Sequence, residues 1–98
     1  MIARLLDEAR AEMLEAAQYY ELCRAGLGEQ FLDAIDRAIV DVEQFPRRWP
    51  VIAQKVRRRL VGRFPYGVLY RIGRTEIVVV AIMHLSRHPR YWVERVNR

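Results

Sequence analysis

The feature that most constrains the fold is an unbroken apolar run near the C-terminal end of the chain. The run covers seven residues, Ile77 to Met83, and is bounded by Glu76 and His84. A strand that is apolar along its whole length is typical of a central strand covered on both faces. The run is far shorter than the roughly 20 residues that cross a bilayer. We therefore expect a sheet with this strand inside it, in a cytoplasmic protein without a targeting segment.

Two amphipathic helices are expected before the sheet. Apolar residues recur at spacings of three and four over two segments, 6–23 and 29–45, with acidic residues between them. Asp7 is the expected N-cap of the first helix, because its carboxylate can accept free backbone N–H groups. Gly26 ends the first helix and Pro46 ends the second. Together they predict a helical hairpin whose apolar faces need a further surface to cover.

The second half of the chain supplies the strands that this hairpin can cover. The expected elements are strands at Val56–Val61, Tyr66–Ile72 and Glu76–His84, a short strand at Ile2–Leu5, and a C-terminal helix at Pro89–Val96. The predicted fold class is α+β, with the hairpin packed on a small antiparallel-rich sheet in the order β-α-α-β-β-β and a short C-terminal helix. We expect a single domain over residues 1–98.

Charge is strongly segregated along the chain. Residues 1–46 contain 4 Lys/Arg and 10 Asp/Glu, whereas residues 47–98 contain 13 Lys/Arg and 2 Asp/Glu. The two parts therefore carry net charges of −6 and +11, which together give the +5 of the whole chain. Such asymmetry predicts a basic working surface in the second half, with nucleic acid or an acidic protein segment as the partner.

Arginines dominate that basic half. Seven lie on or beside the predicted strands, namely Arg57, Arg58, Arg59, Arg63, Arg71, Arg87 and Arg90. If neighbouring strands bring them together, they form one patch that can hold phosphate or carboxylate in bidentate fashion. The alternative is a solvated basic sheet edge that only discourages edge-to-edge pairing.

No metal or cofactor site is expected. His84 and His88 are four residues apart, but a strand end and Pro89 separate them and no Cys or carboxylate pair completes a ligand set. The sequence also contains no glycine-rich phosphate loop and no recognisable Ser/His/Asp grouping.

Metal-independent cleavage of RNA is one chemistry that the basic half could support. His84 or a tyrosine would move protons, while Arg57 or Arg87 would hold the phosphate charge. The tyrosine candidates are Tyr66, Tyr70 and Tyr91. These tyrosines could equally be core aromatics with hydroxyls at the rim, and both interpretations of His84 stay open.

Short segments between Ile2 and Arg95 occur in the order and at the spacing of one known family. They are Glu15–Glu21, Gly26–Gly28, Phe31, Phe45–Pro46, Trp49–Pro50, Val56–Arg58, Phe64–Ile72, Ala81–His84, Arg87, Pro89 and Tyr91–Trp92. In these segments the chain resembles the RelE/ParE superfamily of toxins from type II toxin–antitoxin modules. The resemblance implies a toxin that an extended antitoxin segment wraps and masks, in a toxin–antitoxin complex. The basic surface predicts that this antitoxin segment is acidic and partly disordered.

The superfamily has two branches with different targets. The RelE branch cuts mRNA in the ribosomal A site, and the ParE branch blocks DNA gyrase. The chain departs from the RelE branch at Gly67, where that branch tends to carry Arg, and has only Lys55 in a loop that is Lys-rich there. Tyr19–Glu21 and Phe64–Tyr66 look closer to the ParE branch.

The resemblance therefore favours a ParE-like toxin that inhibits gyrase by binding. The residues expected to contact gyrase or antitoxin are Arg57, Arg58, Arg59, Arg63, Arg71, Arg87, Arg90 and Trp92. One alternative is a ribosome-dependent mRNA interferase with Arg57, His84, Arg87 and Tyr91 as catalytic residues. A second is an inactive module that only binds antitoxin.

Overall fold

A single five-stranded sheet organises the computed structural model, which describes residues 1–98. The elements are β1 (Ala3–Leu5), α1 (Asp7–Cys23), α2 (Leu27–Gln44), β2 (Val51–Ala53), β3 (Val56–Leu60), β4 (Tyr66–Ile72), β5 (Ile77–His84) and α3 (Val93–Val96). The strand order is β1-β5-β4-β3-β2, and only the β1–β5 pair is parallel. The predicted α+β arrangement of a helical hairpin on an antiparallel-rich sheet is confirmed. No helix combines the length and the apolar character needed to cross a membrane.

Strand β5 lies inside the sheet, as its apolar run predicts, and every residue from Ile77 to Met83 is buried. Ile77, Val79 and Ile82 pack toward α1 and α2, which we call the helix side of the sheet. Val80, Ala81 and Met83 pack against residues 91–96, which we call the tail side. Val80 has no partner in β4, because Leu69 pairs with Ala81 and Tyr70 pairs with Val79. This bulge places two consecutive residues, Val80 and Ala81, on the tail side.

The helical hairpin covers the helix side with an apolar stripe on α2 and small residues on α1. Phe31, Ile35, Ala38 and Val42 of α2 are fully buried, as their spacing predicts. The buried residues of α1 are Ala9, Ala16 and Ala17. Tyr66 packs between Phe31 and His84, with ring centroids 5.0 Å from each. Tyr70 is fully buried, which supports the packing role of these tyrosines.

The structure corrects two expectations at the helix ends. Leu6, not Asp7, is the N-cap of α1, and no side chain bonds to the cap. Because the Leu6 N–H donates to Val79 O, the chain is still paired with the sheet one residue before α1 begins. Phe45 is not part of the buried stripe, since it follows the end of α2 and is 54% exposed.

The sequence did not predict strand β2, and the C-terminal helix it predicted is longer than α3. Strand β2 has only three residues, and the turn that joins it to β3 has positive φ at Gln54 (52°) and Lys55 (62°). Such turns are normally signalled by Gly, Asn or Asp, none of which stands here. The predicted C-terminal helix forms only over Val93–Val96, because residues 89–92 form turns instead.

Candidate binding surface

The expectation that the strand arginines form one patch is wrong. Side chains alternate between the two faces of a strand, so neighbouring arginines of β3 diverge. Arg57 pairs with Tyr70 and Arg59 with Val68, whose side chains lie on the helix side. Arg58 lies on the tail side instead.

Two of the predicted contact arginines are engaged with the helical hairpin. Arg59 forms an ion pair of 2.6 Å with Asp41 of α2, and its guanidinium lies 5.3 Å from the Trp49 ring centroid. Arg63 donates a hydrogen bond of 3.0 Å to Gln30 and stacks at 5.8 Å on Phe64. These contacts tie the hairpin to the sheet, so Arg59 in particular has a structural role.

Arg57 is held by backbone oxygens of the loop that follows α2. Its Nη1 donates to Arg47 O at 3.1 Å and to Trp49 O at 2.7 Å. The Tyr70 hydroxyl donates to Pro46 O at 2.5 Å. Loop 45–50 is therefore fixed against the helix-side edge of the sheet by two side chains.

Three arginines without ion pairs lie on the tail side, and we call Arg58, Arg71 and Arg90 the tail-side arginines. Arg58 is directly opposite Leu69, two residues along β4 from Arg71 on the same face. Arg58 and Arg90 line one recess of about 270 Å³ together with Met83. The chain forms four ion pairs, and none involves these three residues. These three members of the predicted cluster therefore carry no counter-charge within the chain.

Glu12 of α1 anchors the C-terminal segment across the open edge of β5. β1 ends early, so Val80 O and Ile82 N–H have no strand partner on that side. Glu12 accepts hydrogen bonds from Ile82 N (3.1 Å), the Tyr91 hydroxyl (2.7 Å) and both terminal nitrogens of Arg95 (3.0 Å each). Arg95 Nη1 also donates to Val80 O at 3.1 Å. The buried backbone groups are thereby satisfied by side chains.

The electrostatics of this anchor keep Tyr91 protonated and Arg95 charged. Burial raises the pKa of Tyr91, and the Glu12 carboxylate, which accepts a hydrogen bond from the hydroxyl, raises it further. The Tyr91 ring also lies between two guanidinium groups, 4.1 Å from Arg87 and 5.0 Å from Arg95. Burial is the largest single influence on Arg95 and lowers its pKa, but the hydrogen bond and the charge of Glu12, with smaller contributions from Tyr91 and Glu8, together raise the pKa of Arg95.

The four ribonuclease candidates do not assemble into one site. His84 and Arg87 line a cleft of about 280 Å³, but two carboxylates, Glu12 and Glu15, line it as well. Arg57 lies in a different recess, at loop 45–50. The Tyr91 hydroxyl donates a hydrogen bond to Glu12 and stays protonated, so it is unsuited to act as a base. An RNA phosphate would meet like charge in this cleft, so the arrangement does not favour cleavage.

Comparison with known proteins identifies the family. The family model described as "ParE toxin of type II toxin-antitoxin system, parDE" matches residues 3–89. The chain belongs to the ParE toxin family. The resemblance to the ParE branch is therefore confirmed, and the chain is a toxin component of a type II toxin–antitoxin system.

The fold of this ParE-family toxin also has a solved counterpart. A chain of the chromosomal ParDE toxin–antitoxin system from P. aeruginosa superposes with a TM-score of 0.67 at 18% sequence identity. The match covers 88% of the present chain and 97% of the other. At this identity it shows a shared fold. No curated protein matches the chain in sequence.

Gly67 of the ParE-family toxin leaves space for the side chain of Arg58, which reaches from β3 over β4 on the tail side. A Cβ atom at this position would lie 3.1 Å from Cγ and 3.2 Å from Cδ of Arg58. The Arg58 stem therefore lies flat over the bare backbone of β4. Where the RelE branch tends to carry an Arg, this toxin has Arg58 reaching across from the next strand.

Trp92 is not a contact residue in this structure. It is fully buried on the tail side, and its indole Nε1–H donates to Pro89 O at 2.8 Å. The position after Tyr91 therefore serves the core of the ParE-family toxin, in the cluster with Leu69 and Val80.

Glu12 is the residue that sequence reasoning missed. It lies three residues after Ala9 and four before Ala16, both of which are buried. A carboxylate at the spacing of an apolar stripe indicates a partner inside the fold, because an unpaired buried charge is very unfavourable. That signal was present, but the partner Arg95 is 83 residues away.

Proposed function

We propose that this ParE-family toxin acts by binding and inhibits DNA gyrase, and that a cognate antitoxin with an acidic, partly disordered tail neutralises it. The observation that carries the proposal is the set of tail-side arginines, Arg58, Arg71 and Arg90, which make no ion pair within the chain. We infer that residues 1–98 act as one toxin domain in the cytoplasm, with the anchored C-terminal segment beside the contact surface.

The antitoxin segment would lie along the tail side of the sheet. Next to Arg71, a recess of about 390 Å³ is lined by apolar residues that include Val78, Val80 and Val96, by four arginines and by two carboxylates, so the lining keeps a net positive charge. An extended segment that alternates acidic and apolar residues would satisfy both the apolar lining and the guanidinium groups. Such a segment orders as it binds, which suits reversible masking of a toxin.

The decisive experiment compares gyrase supercoiling with ribosome-dependent mRNA cleavage, using the purified toxin. We expect supercoiling to be inhibited and mRNA to stay intact. The variant R58A/R71A/R90A should inhibit gyrase less. The matched control R10A/R24A/R37A, which loses the same charge from the helical hairpin, should inhibit like the parent. Cleavage of mRNA by the parent toxin but not by the R87A variant would instead establish the interferase alternative.

A growth assay tests whether the toxin is active at all. Expression without antitoxin should stop growth, and coexpression of the antitoxin should restore it. Unimpaired growth at equal protein levels would contradict the proposal and leave a module that only binds antitoxin.

A further inference from the structure

A second group of cations includes Arg57, which lies on the face of β3 opposite to Arg58. Two adjoining recesses share Arg47, and we call them together the loop recess. The first, of about 460 Å³, is lined by Phe45, Pro46, Arg47 and Arg48. The second, of about 250 Å³, is lined by Arg47, Val51, Lys55, Arg57 and Ile72. No acidic residue lines either one, so the loop recess is a site of uncompensated positive charge.

The backbone around the loop recess is held in place from several directions. Arg57 binds two carbonyl oxygens of loop 45–50, and Tyr70 binds a third. The Arg58 N–H donates to Pro50 O at 3.2 Å, which fixes the end of the loop to β3. The cations are therefore presented by a preorganised frame, which lowers the entropic cost of binding.

The turn between β2 and β3 brings the only lysine of the chain into this site. Gln54 and Lys55 both occupy the left-handed region, with φ of 52° and 62°. Residues with a side chain adopt this region at an energetic cost, and such strain concentrates at functional sites. The result is that Lys55 lines the same recess as Arg47 and Arg57.

An exposed aromatic ring completes the loop recess. Phe45 is 54% exposed, and the Arg48 guanidinium lies 5.9 Å from its ring centroid and 5.7 Å from that of Trp49. Arg47, Arg48, Lys55 and Arg57 form no ion pair with a carboxylate. Cations that follow a phosphate backbone, beside a ring on which a base can stack, are typical of sites for single-stranded nucleic acid.

We propose that the loop recess binds single-stranded nucleic acid, with phosphates at Arg47, Lys55 and Arg57 and a base stacked on Phe45. An acidic peptide would use the cations, but it would gain nothing specific from an open aromatic face. This assigns the toxin a nucleic-acid contact of its own, beyond its proposed binding to gyrase.

The electrostatic part of the proposal is tested by the salt dependence of binding. Fluorescence anisotropy with labelled oligothymidylate, in the absence of gyrase and antitoxin, should give a slope of log K against log salt of about −2 for three phosphate contacts. In R47Q/K55N the slope should fall to about −0.7, because one contact remains. Asn is chosen at position 55 because it tolerates positive φ. The control R10A/R24A should keep the parent slope.

Stacking is tested separately at Phe45. F45L keeps the apolar bulk but loses the π face, and it should weaken binding roughly tenfold without changing the salt slope. F45W should bind as tightly as the parent or more tightly. Circular dichroism and urea unfolding of each variant show whether the fold is retained.

Three results would overturn the proposal. They are absence of binding to the oligonucleotide, equal weakening in the R10A/R24A control, and equal affinity for a polyglutamate peptide of the same length. The last would indicate an acidic protein partner. Because gyrase is absent from this assay, its outcome is independent of the supercoiling experiment.

Discussion

A single carboxylate, Glu12, joins three parts of the molecule that are distant in sequence. Its side chain is 15% exposed and that of Arg95 is 16% exposed, so the pair is largely shielded from water. Oε1 of Glu12 accepts hydrogen bonds from Ile82 N of β5 and from Arg95, and Oε2 accepts hydrogen bonds from Tyr91 and Arg95. A shielded pair that is fully hydrogen-bonded is costly to break from one side, because the remaining charge loses its partner.

Replacing this carboxylate should loosen the C-terminal segment. We expect E12Q to lower the free energy of unfolding by about 3 kcal/mol, because Arg95 is left without its counter-charge. Urea unfolding followed by circular dichroism measures the loss. E15Q on the exposed side of the same helix is the control and should change stability by less than about 0.5 kcal/mol. Equal losses in the two variants would show that Glu12 has no anchoring role.

Tyr91 gives the anchor a pH dependence at the alkaline end. Burial raises the pKa of Tyr91 above its ordinary value of 10, so folding favours the protonated hydroxyl. The stabilisation is fully present below pH 10 and is lost as pH rises through the pKa of the folded state. The stability difference between the parent and Y91F should therefore be constant near neutral pH and shrink above pH 10. Urea unfolding at a series of pH values measures it, and a constant difference would contradict the assignment.

At the scale of elements, the two helices of the hairpin are in close contact at Gly28. A Cβ atom there would lie 2.5 Å from Ala17 O and 3.0 Å from Glu21 Cβ. The Glu21 carboxylate also accepts hydrogen bonds from the N–H groups of Gly26 and Gly28. These backbone donors at the start of α2 are thereby paired. The small residues of the hairpin thus allow close helix packing and direct capping of one helix by the other.

A methyl group at this contact should separate the helices. We expect G28A to reduce the free energy of unfolding by about 2 kcal/mol, because the clash with a backbone oxygen exceeds the gain in helix propensity. Thermal and urea unfolding measure the change. G62A, where a Cβ atom meets nothing within 4 Å, is the matched control and should be nearly neutral. A stability of G28A equal to that of G62A would contradict the packing argument.

For the whole molecule, the separation of charge along the chain becomes a separation between elements. The acidic residues 1–46 form β1 and the hairpin, and the basic residues 47–98 form most of the sheet and the C-terminal segment. Three of the four ion pairs join a hairpin carboxylate to an arginine of the second half, at Arg59, Arg95 and Arg98. The remaining cations are therefore free to attract anionic partners.

Binding of the antitoxin should follow this free charge. We expect R58A/R71A/R90A to weaken the complex by about 1 kcal/mol for each arginine at low salt, and by less as salt rises. Isothermal titration calorimetry at several salt concentrations measures the effect. R10A/R24A/R37A removes equal charge from the hairpin and should bind nearly like the parent. Salt-independent affinity would instead indicate an apolar groove as the main contact.

Local patterns in the sequence were sufficient for the two long helices, for four of the five strands and for the main apolar faces. The run from Ile77 to Met83 predicts an inner strand, and the stripe on α2 predicts its buried face. Both depend only on the spacing of apolar residues, which reflects the helix and strand periods. The charge segregation was equally evident, because net charge does not depend on the fold.

Tertiary structure alone decided which side chains meet. The alternation of side chains along β3 places Arg57 and Arg58 on opposite faces of the sheet. Only the position of the helical hairpin determines that Arg57 is the one on the helix side. The pairing of Glu12 with Arg95 and the packing of Trp92 against Leu69 and Val80 join segments that are apart in sequence. Such contacts depend on where the chain returns to the sheet, and residue spacing carries no information about that path.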